Sequence, residues 1–189
     1  MKFAFIGTHG VGKTTLCFEL AAHLKKRDKV VEMVREVARF CPLPINRETT
    51  VAAQSWILHT EIAEELVAEN KSDIVVCDRS VLDNYCYLLL TGRHPNLEPL
   101  VRWWVASYQL LIKVPIVGTP LFDGLRDVDS AFQRAVDEKI DEMLAEWEIP
   151  ALRLDPDRRQ SWGMDSLEAI MPLLGPVQQP LFEGTDTPN

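Results

Sequence analysis

Nine consecutive residues near the start of the chain have the types and the spacing that bind a triphosphate. Residues 7–15 read Gly-Thr-His-Gly-Val-Gly-Lys-Thr-Thr and match the pattern G-x-x-x-x-G-K-[ST]. Glycines let the backbone N–H groups close around a compact polyanion because no side chain intrudes. Lys13 is expected to bridge the β- and γ-phosphate oxygens, and the hydroxyl of Thr14 is expected to bind Mg²⁺. We call residues 7–15 the phosphate-binding loop.

The sequence on either side of this loop predicts the elements that the pattern requires. Residues 3–6 are apolar and predict a buried strand, and Leu16, Leu20 and Leu24 repeat at the spacing of one helix face. A glycine turn that only joins a strand to a helix is the alternative, and this context makes it the weaker one. His9 should contribute mainly its backbone, and Thr15 should lie near the α-phosphate. The predicted nucleotide contacts of the loop are Gly7, Thr8, His9, Gly10, Val11, Gly12, Lys13, Thr14 and Thr15.

An acidic residue stands at the end of another apolar strand. Residues 74–77 are apolar and are followed by Asp78, which is the Walker B pattern. Such a carboxylate holds Mg²⁺ directly or through water, or takes the proton from an attacking hydroxyl. Arg79 comes next and is suited to clamp a phosphate or a substrate oxygen, with a structural salt bridge as the alternative.

Charged residues also follow the second predicted strand, residues 30–34. Glu36 and Arg39 come directly after it. Because ligands collect at the carboxyl ends of the strands in an open parallel sheet, we expect these two side chains to contact a second substrate. An exposed surface ion pair is the alternative.

The stretch 118–129 contains glycine and charged residues but no periodicity, and it predicts a lid over the site. Arg126 in this stretch, with Arg134 as a second candidate, would neutralise charge on a transferring phosphate. An ordinary connection with solvated arginines is the alternative. Ser130 and Gln133 fit a capping box that opens the next helix.

The remaining elements are read from apolar spacing and turn residues. Residues 110–117 and 151–154 predict the fourth and fifth strands, and Arg158 follows the fifth, where a nucleotide base is expected. Residues 70–73 match N-K-x-D but precede a strand, so we interpret them as a helix-to-strand turn. Helices are predicted over residues 48–69, 81–91, 96–110, 130–147 and 165–174. The predicted buried stripe of the first of these is Val51, Ser55, Leu58, Ile62 and Leu66.

The 189 residues and the net charge of −8 fit one α/β domain, residues 1–174, with a flexible tail over residues 175–189. An acidic chain is a poor match for nucleic acid or an anionic membrane as its main partner. The four cysteines lack C-x-x-C spacing and the histidines are scattered, so no zinc or redox motif is predicted. No signal segment or membrane-length apolar run is present, and we expect a cytoplasmic protein. The sequence leaves monomer and homodimer open.

Taken together, these motifs resemble those of P-loop kinases, a group that includes thymidylate kinase and the deoxynucleoside kinases. The nearest likeness is to the NadR-like AAA-type ATPase/kinase group. It covers most of the chain up to about residue 174. The residues that carry the resemblance are 7–15, 35–39, 78–85 and 123–126.

The resemblance implies a P-loop NTPase fold, a three-layer αβα sandwich with a five-stranded parallel sheet in the order 2-3-1-4-5. It implies Mg²⁺ and ATP as phosphoryl donor, and a nucleoside, nucleotide or similar small acceptor bound near Glu36, Arg39, Arg79 and Tyr85. Glu36 stands where deoxynucleoside kinases place the carboxylate that activates the acceptor hydroxyl, and Asp78 is the other candidate base. Residues 78–80, Asp-Arg-Ser, differ from the Glu-Arg-Ser of those kinases. The alternative function is an NTPase switch that acts on a protein partner.

Overall fold

A computed structural model describes residues 1–92, 94–118 and 130–175. Five strands form one sheet in which every pairing is parallel: β1 (Lys2–Ile6), β2 (Val31–Val34), β3 (Ile74–Asp78), β4 (Leu110–Lys113) and β5 (Ala151–Arg153). Their order is β2-β3-β1-β4-β5, which confirms the predicted topology. β1 therefore lies in the centre, and the loop that follows it lies at the carboxyl edge of the sheet.

Within these described ranges, six α-helices cover the sheet: α1 (Lys13–Lys25), α2 (Val51–Lys71), α3 (Val81–Leu89), α4 (Glu98–Val105), α5 (Ser130–Glu146) and α6 (Trp162–Ile170). Short 3₁₀ helices span Val37–Phe40, Asn46–Glu48, Pro156–Ser161 and Met171–Leu174. Side chains of β1 alternate between two apolar clusters, as a strand with both faces covered requires. Ala4 and Ile6 pack on the side of α2 to α5, and Phe3 and Phe5 pack on the side of α1 and α6.

Most predicted elements are present, but several bounds differ from the prediction. The fourth strand ends at Lys113 instead of reaching residue 117, and the last α-helix begins at Trp162 instead of residue 165. The helix predicted over 96–110 is shorter, because it ends at Val105 and a strand begins at Leu110. α2 ends at Lys71 and β3 begins at Ile74, so residues 70–73 form the predicted helix-to-strand turn.

The predicted buried stripe of α2 is wrong in part. Val51 and Leu66 are about half exposed, whereas Gln54, Glu61 and Glu65 are buried. Periodicity assigns apolar residues to the core, but here the core side of the helix carries three polar groups with partners of their own.

Two predictions fall on residues outside the described ranges. Arg126 and nearly all of the proposed lid lie within residues 119–129, and the proposed tail lies within residues 176–189, apart from Gly175. Within the described residues, no helix combines the length and the apolar character needed to cross a membrane. All four cysteines are free, and Cys17 and Cys77 are buried as expected of core residues.

Candidate functional site

The phosphate-binding loop has the backbone conformations that its glycines were expected to supply. Gly7, Gly10 and Gly12 all have positive φ, at 141°, 77° and 101°. A Cβ atom on Gly7 would lie 2.8 Å from the backbone oxygen of Val114, which follows β4. α1 begins at Lys13, within the loop, so the first N–H groups of that helix, which have no partner inside the helix, belong to the loop.

Lys13 is buried inside the loop, where its Nζ donates to the backbone oxygens of Gly7 at 2.8 Å and Thr8 at 2.7 Å. Burial and the nearby charge of Arg79 lower its pKa from 10.5 to about 8, although surrounding carboxylates oppose the shift. Among the described residues, the hydrogen-bond partners of the ammonium group are carbonyl oxygens, and phosphate oxygens would be stronger acceptors.

Thr14 and Asp78 meet because β1 and β3 are neighbours in the sheet. The hydroxyl of Thr14 donates to Oδ2 of Asp78 at 2.5 Å. Hydroxyl and carboxylate oxygens are the ligands that Mg²⁺ prefers, and this ion is usually held by one or two protein oxygens together with phosphates and water. The pair fits that requirement. In the described part of the chain, no group of three or more His, Cys, Asp or Glu residues could hold a metal by itself.

Asp83 hydrogen-bonds to the phosphate-binding loop and was not predicted as a site residue. Its Oδ1 accepts from the N–H of Gly7 at 2.8 Å, and its Oδ2 accepts from the N–H and hydroxyl of Ser80 at 3.0 and 2.9 Å. It forms a capping box at the start of α3. The spacing Ser80-x-x-Asp83 was the available signal for the cap, but nothing in the sequence indicates the contact with Gly7.

Glu36 links two arginines at the carboxyl ends of β2 and β3. Its Oε1 lies 2.7 Å from both Nε and Nη2 of Arg79, and its Oε2 accepts from Nε of Arg39 at 2.7 Å. Burial by itself would raise the pKa of Glu36, but the charges of Arg79, Lys13 and Arg39 outweigh it and lower the pKa to about 2. Glu36 is therefore an anion at neutral pH. The ion pair of Glu36 with Arg39 is exposed, as the alternative prediction had it, whereas the ion pair of Glu36 with Arg79 is mostly buried.

Arg79 has two features that set it apart from an ordinary structural arginine. Its φ is +109°, a left-handed backbone conformation that is costly for a residue with a side chain. Its Nη1 atom is buried and has no hydrogen-bond partner among the described residues. The guanidinium also lies 5.3 Å above the ring of Tyr87. The Nη1 atom of Arg79 is therefore available to donate a hydrogen bond to a ligand oxygen.

A pocket connects the loop to this cluster; it has room for the centres of water-sized spheres over about 50 Å³, and the space of about 670 Å³ between its walls includes open solvent. Of the residues predicted to contact a second substrate, Glu36, Arg39 and Arg79 line the pocket and Tyr85 does not. The ring of Tyr85 stacks on Trp147 and its hydroxyl donates to Glu98, so this residue of α3 packs in the apolar core and not in the pocket. Residues that line the pocket but were not predicted include Asn46, Gln54, Asn84 and Tyr87. We call this space the site pocket.

The other predicted contacts occupy different positions around the loop. Val11 and Thr8 are buried, Thr15 is exposed, and Nδ1 of His9 lies 3.0 Å from the hydroxyl of Tyr87. Arg158 follows β5, is mostly exposed, and donates to Asp165 at 3.0 Å. Arg158 thus lies at the expected end of the sheet without lining the site pocket.

These features define the class of protein. A central parallel strand, a glycine loop around a buried lysine, and a threonine paired with the aspartate of the neighbouring strand make this a P-loop NTPase. A family model described as an AAA domain matches residues 2–161, and the chain belongs to that family. A search of curated proteins found no match. The domain is therefore of a type that binds a nucleotide and acts on its phosphates.

Proposed function

We propose that this protein is a small-molecule kinase, which transfers the γ-phosphoryl group of ATP to a hydroxyl or phosphate oxygen of a small acceptor. The acceptor class that we favour is a nucleoside, a nucleotide or a ribosylnicotinamide-like compound. Mg²⁺ held by Thr14 and Asp78 would neutralise charge on the phosphates. Lys13 would exchange its carbonyl partners for β- and γ-phosphate oxygens. Arg126, outside the described residues, is proposed to reach the same phosphates.

One observation carries this proposal, namely that the site pocket extends from the phosphate-binding loop to the Glu36 cluster. Hydrolysis of a nucleotide needs room only for water beside the γ-phosphate. This pocket continues past that point, between the ends of β2 and β3 and the first turns of α2, where Gln54 and Ile57 form its wall. Its walls combine apolar surface with charged and amide groups, as small-molecule sites do.

The two carboxylates have different roles in the proposal. Glu36 has a pKa of about 2 and both of its oxygens are bound by arginines, so it is a weak base that would orient an acceptor hydroxyl. Asp78 would hold the metal. Because phosphoryl transfer depends mainly on positioning and on charge stabilisation, a strong base is not required.

The test is ADP release from Mg²⁺-ATP, measured with and without a panel of nucleosides, nucleoside monophosphates and ribosylnicotinamide. We expect one compound to stimulate release, and mass spectrometry should detect its phosphorylated form. Lys13→Ala should abolish turnover. Glu36→Gln should reduce the stimulated rate on the order of 100-fold, by loss of positioning. Glu64→Gln, at an exposed position of α2, is the matched control and should leave the rate unchanged. Full activity in Lys13→Ala would contradict the assigned phosphate site.

The second candidate is an NTPase switch that acts on a protein partner, and membership of an AAA-domain family favours it. In that case ATP would be hydrolysed at a slow rate that no compound in the panel changes. Glu36→Gln would then have little effect on turnover, whereas Lys13→Ala would still abolish it. The two variants together therefore separate the candidates.

A further inference from the structure

The first turn of α5 contacts the backbone of the phosphate-binding loop. Gln133 is 2% exposed, and its Nε2 donates to the backbone oxygen of His9 at 2.8 Å. The neighbouring ring of Phe132 packs 5.8 Å from the ring of His9 and 6.0 Å from the ring of Tyr87. Gln133 does not line the site pocket. Its hydrogen bond joins residues that are 124 positions apart in the chain.

This hydrogen bond fixes the direction of one peptide group. A trans peptide is planar, so the carbonyl of His9 and the N–H of Gly10 point in opposite directions. Because the carbonyl is held toward α5, the N–H of Gly10 is turned away from that helix. Gly10 lines the site pocket, on the side where phosphates would lie.

The peptide between His9 and Gly10 needs such a support. Gly10 has a φ of 77°, and glycine adopts positive and negative φ with similar ease, so its own sequence does not fix the orientation of this peptide. Placing a primary amide in a buried position is unfavourable unless it is hydrogen-bonded. An apolar side chain would fill the same volume, so the useful property of Gln133 is its N–H donor.

We propose that Gln133 is a positioning residue, which holds the His9–Gly10 peptide so that the N–H of Gly10 faces the phosphates of the bound nucleotide. The role is independent of the phosphoryl acceptor. It applies equally if the nucleotide is hydrolysed, so it goes beyond the proposed kinase activity. The start of α5 thereby becomes part of the nucleotide site, although it provides no direct contact with the nucleotide.

The main test is the dissociation constant of Mg²⁺-ADP, measured by titration calorimetry, which does not depend on turnover. Gln133→Met keeps the length of the side chain and removes the donor. We expect it to weaken binding on the order of tenfold, as for one lost hydrogen bond. Glu138→Met, at an exposed position on α5, is the control and should bind with wild-type affinity. Wild-type affinity in a folded Gln133→Met protein would overturn the proposal.

Gln133→Glu adds a readout that a purely structural role would not change. An ionised carboxylate cannot donate to the carbonyl of His9, whereas a protonated one can. The affinity of this variant should therefore recover as the pH falls from 8 to 5.5. Gln133→Met keeps the other titratable groups of the site, so the pH dependence of its affinity is measured in parallel and subtracted to correct for their effects. The absence of any recovery relative to Gln133→Met would count against the proposal.

A measurement on the wild-type protein completes the test, should the variants fold poorly. The amide resonance of Gly10 should shift strongly in a nuclear magnetic resonance spectrum when Mg²⁺-ADP is added, as expected of an N–H that meets a phosphate. An unchanged resonance at saturating nucleotide would overturn the proposal without any substitution.

Discussion

At the level of single residues, Glu36 shows how neighbouring arginines keep a carboxylate ionised inside the site. Its carboxylate is held by Arg79 and Arg39, and its pKa is lowered from 4.5 to about 2 because these charges outweigh the effect of burial. A carboxyl group with a lowered pKa stabilises the folded state above its unfolded pKa. That contribution is lost as the pH falls from about 4.5 toward about 2.

The resulting prediction concerns stability and pH. Glu36→Gln should lower the free energy of unfolding at pH 7 by about 3 kcal/mol, the equivalent of this pKa difference. The difference in the free energy of unfolding between wild type and variant should shrink below pH 4.5, where the carboxyl becomes protonated in the unfolded chain. Urea unfolding at pH 7, 4 and 3 measures it, with Glu48→Gln at an exposed position as control. A gap that stays constant with pH would show that the ion pairs contribute little.

Lys13 differs from Glu36, because its surroundings disfavour its charged form, which bound phosphates would favour. Its pKa is about 8 in the unliganded protein, and a bound polyphosphate should raise it. Binding of a non-hydrolysable Mg²⁺-ATP analogue at pH 8.5 should therefore take up about three-quarters of a proton, the fraction of Lys13 that is neutral at that pH. At pH 7, where Lys13 is already protonated, uptake should be small. Calorimetry in buffers of different ionisation enthalpy measures the number, and equal values at both pH values would contradict the prediction.

The helix α2 shows at the level of elements what periodicity can and cannot predict. Its presence and length follow from the sequence, but Glu65 on its core side does not. Oε2 of Glu65 lies 2.7 Å from Nζ of Lys2, which is fully buried at the start of β1. The same carboxylate accepts from Trp104 and Tyr108, both at 2.5 Å. The local sequence does not indicate a buried ion pair at the start of an apolar strand, because that ion pair depends on which helix packs against the strand.

This network predicts unequal effects for two adjacent glutamates. Glu65→Ala would leave the buried Lys2 with the longer 3.4 Å ion pair to Glu69, and Trp104 and Tyr108 would lose their acceptor. It should lower the free energy of unfolding by about 3–5 kcal/mol. Glu64→Ala, one residue earlier and exposed, should change it by less than about 0.5 kcal/mol. Chemical denaturation of both variants tests this, and similar stabilities would mean that the network is not maintained in solution.

The same distinction applies to the site. The loop, Lys13, Thr14 and Asp78 were predictable because each belongs to a local pattern with a chemical reason for its spacing. Tyr85 was assigned to the pocket, but Tyr87 is the tyrosine that lines it. Both residues lie on the short helix α3, and the sequence does not indicate which of them the packing of that helix turns toward the pocket. Asp83 and Gln133 act on the loop from 76 and 124 residues away, and such contacts are set by tertiary packing alone.

For the whole molecule, the nucleotide site joins elements that are distant in sequence. The loop follows β1, Asp78 ends β3, and Asp83 and Gln133 lie in the first turns of α3 and α5. The chain has a net charge of −8, yet the charged side chains that line the site pocket, Lys13, Arg39 and Arg79 against Glu36 and Asp78, sum to +1 (3 − 2). A polyanion bound there would be attracted locally despite the acidic surface, and it would stabilise all of these elements together.

Nucleotide binding should therefore raise the thermal stability of the domain as one cooperative unit. Mg²⁺-ADP at 100 times its dissociation constant should add about 2.7 kcal/mol, which corresponds to a rise in Tm of about 5–11 °C for a chain of this size. Removal of Mg²⁺ with EDTA should reduce the shift, because Thr14 and Asp78 then have no ion through which to hold the phosphates. Lys13→Ala should show no shift at the same nucleotide concentration, and Mg²⁺ without nucleotide should have little effect on either protein. A full shift in Lys13→Ala, or one unaffected by EDTA, would mean that the nucleotide binds elsewhere on the domain.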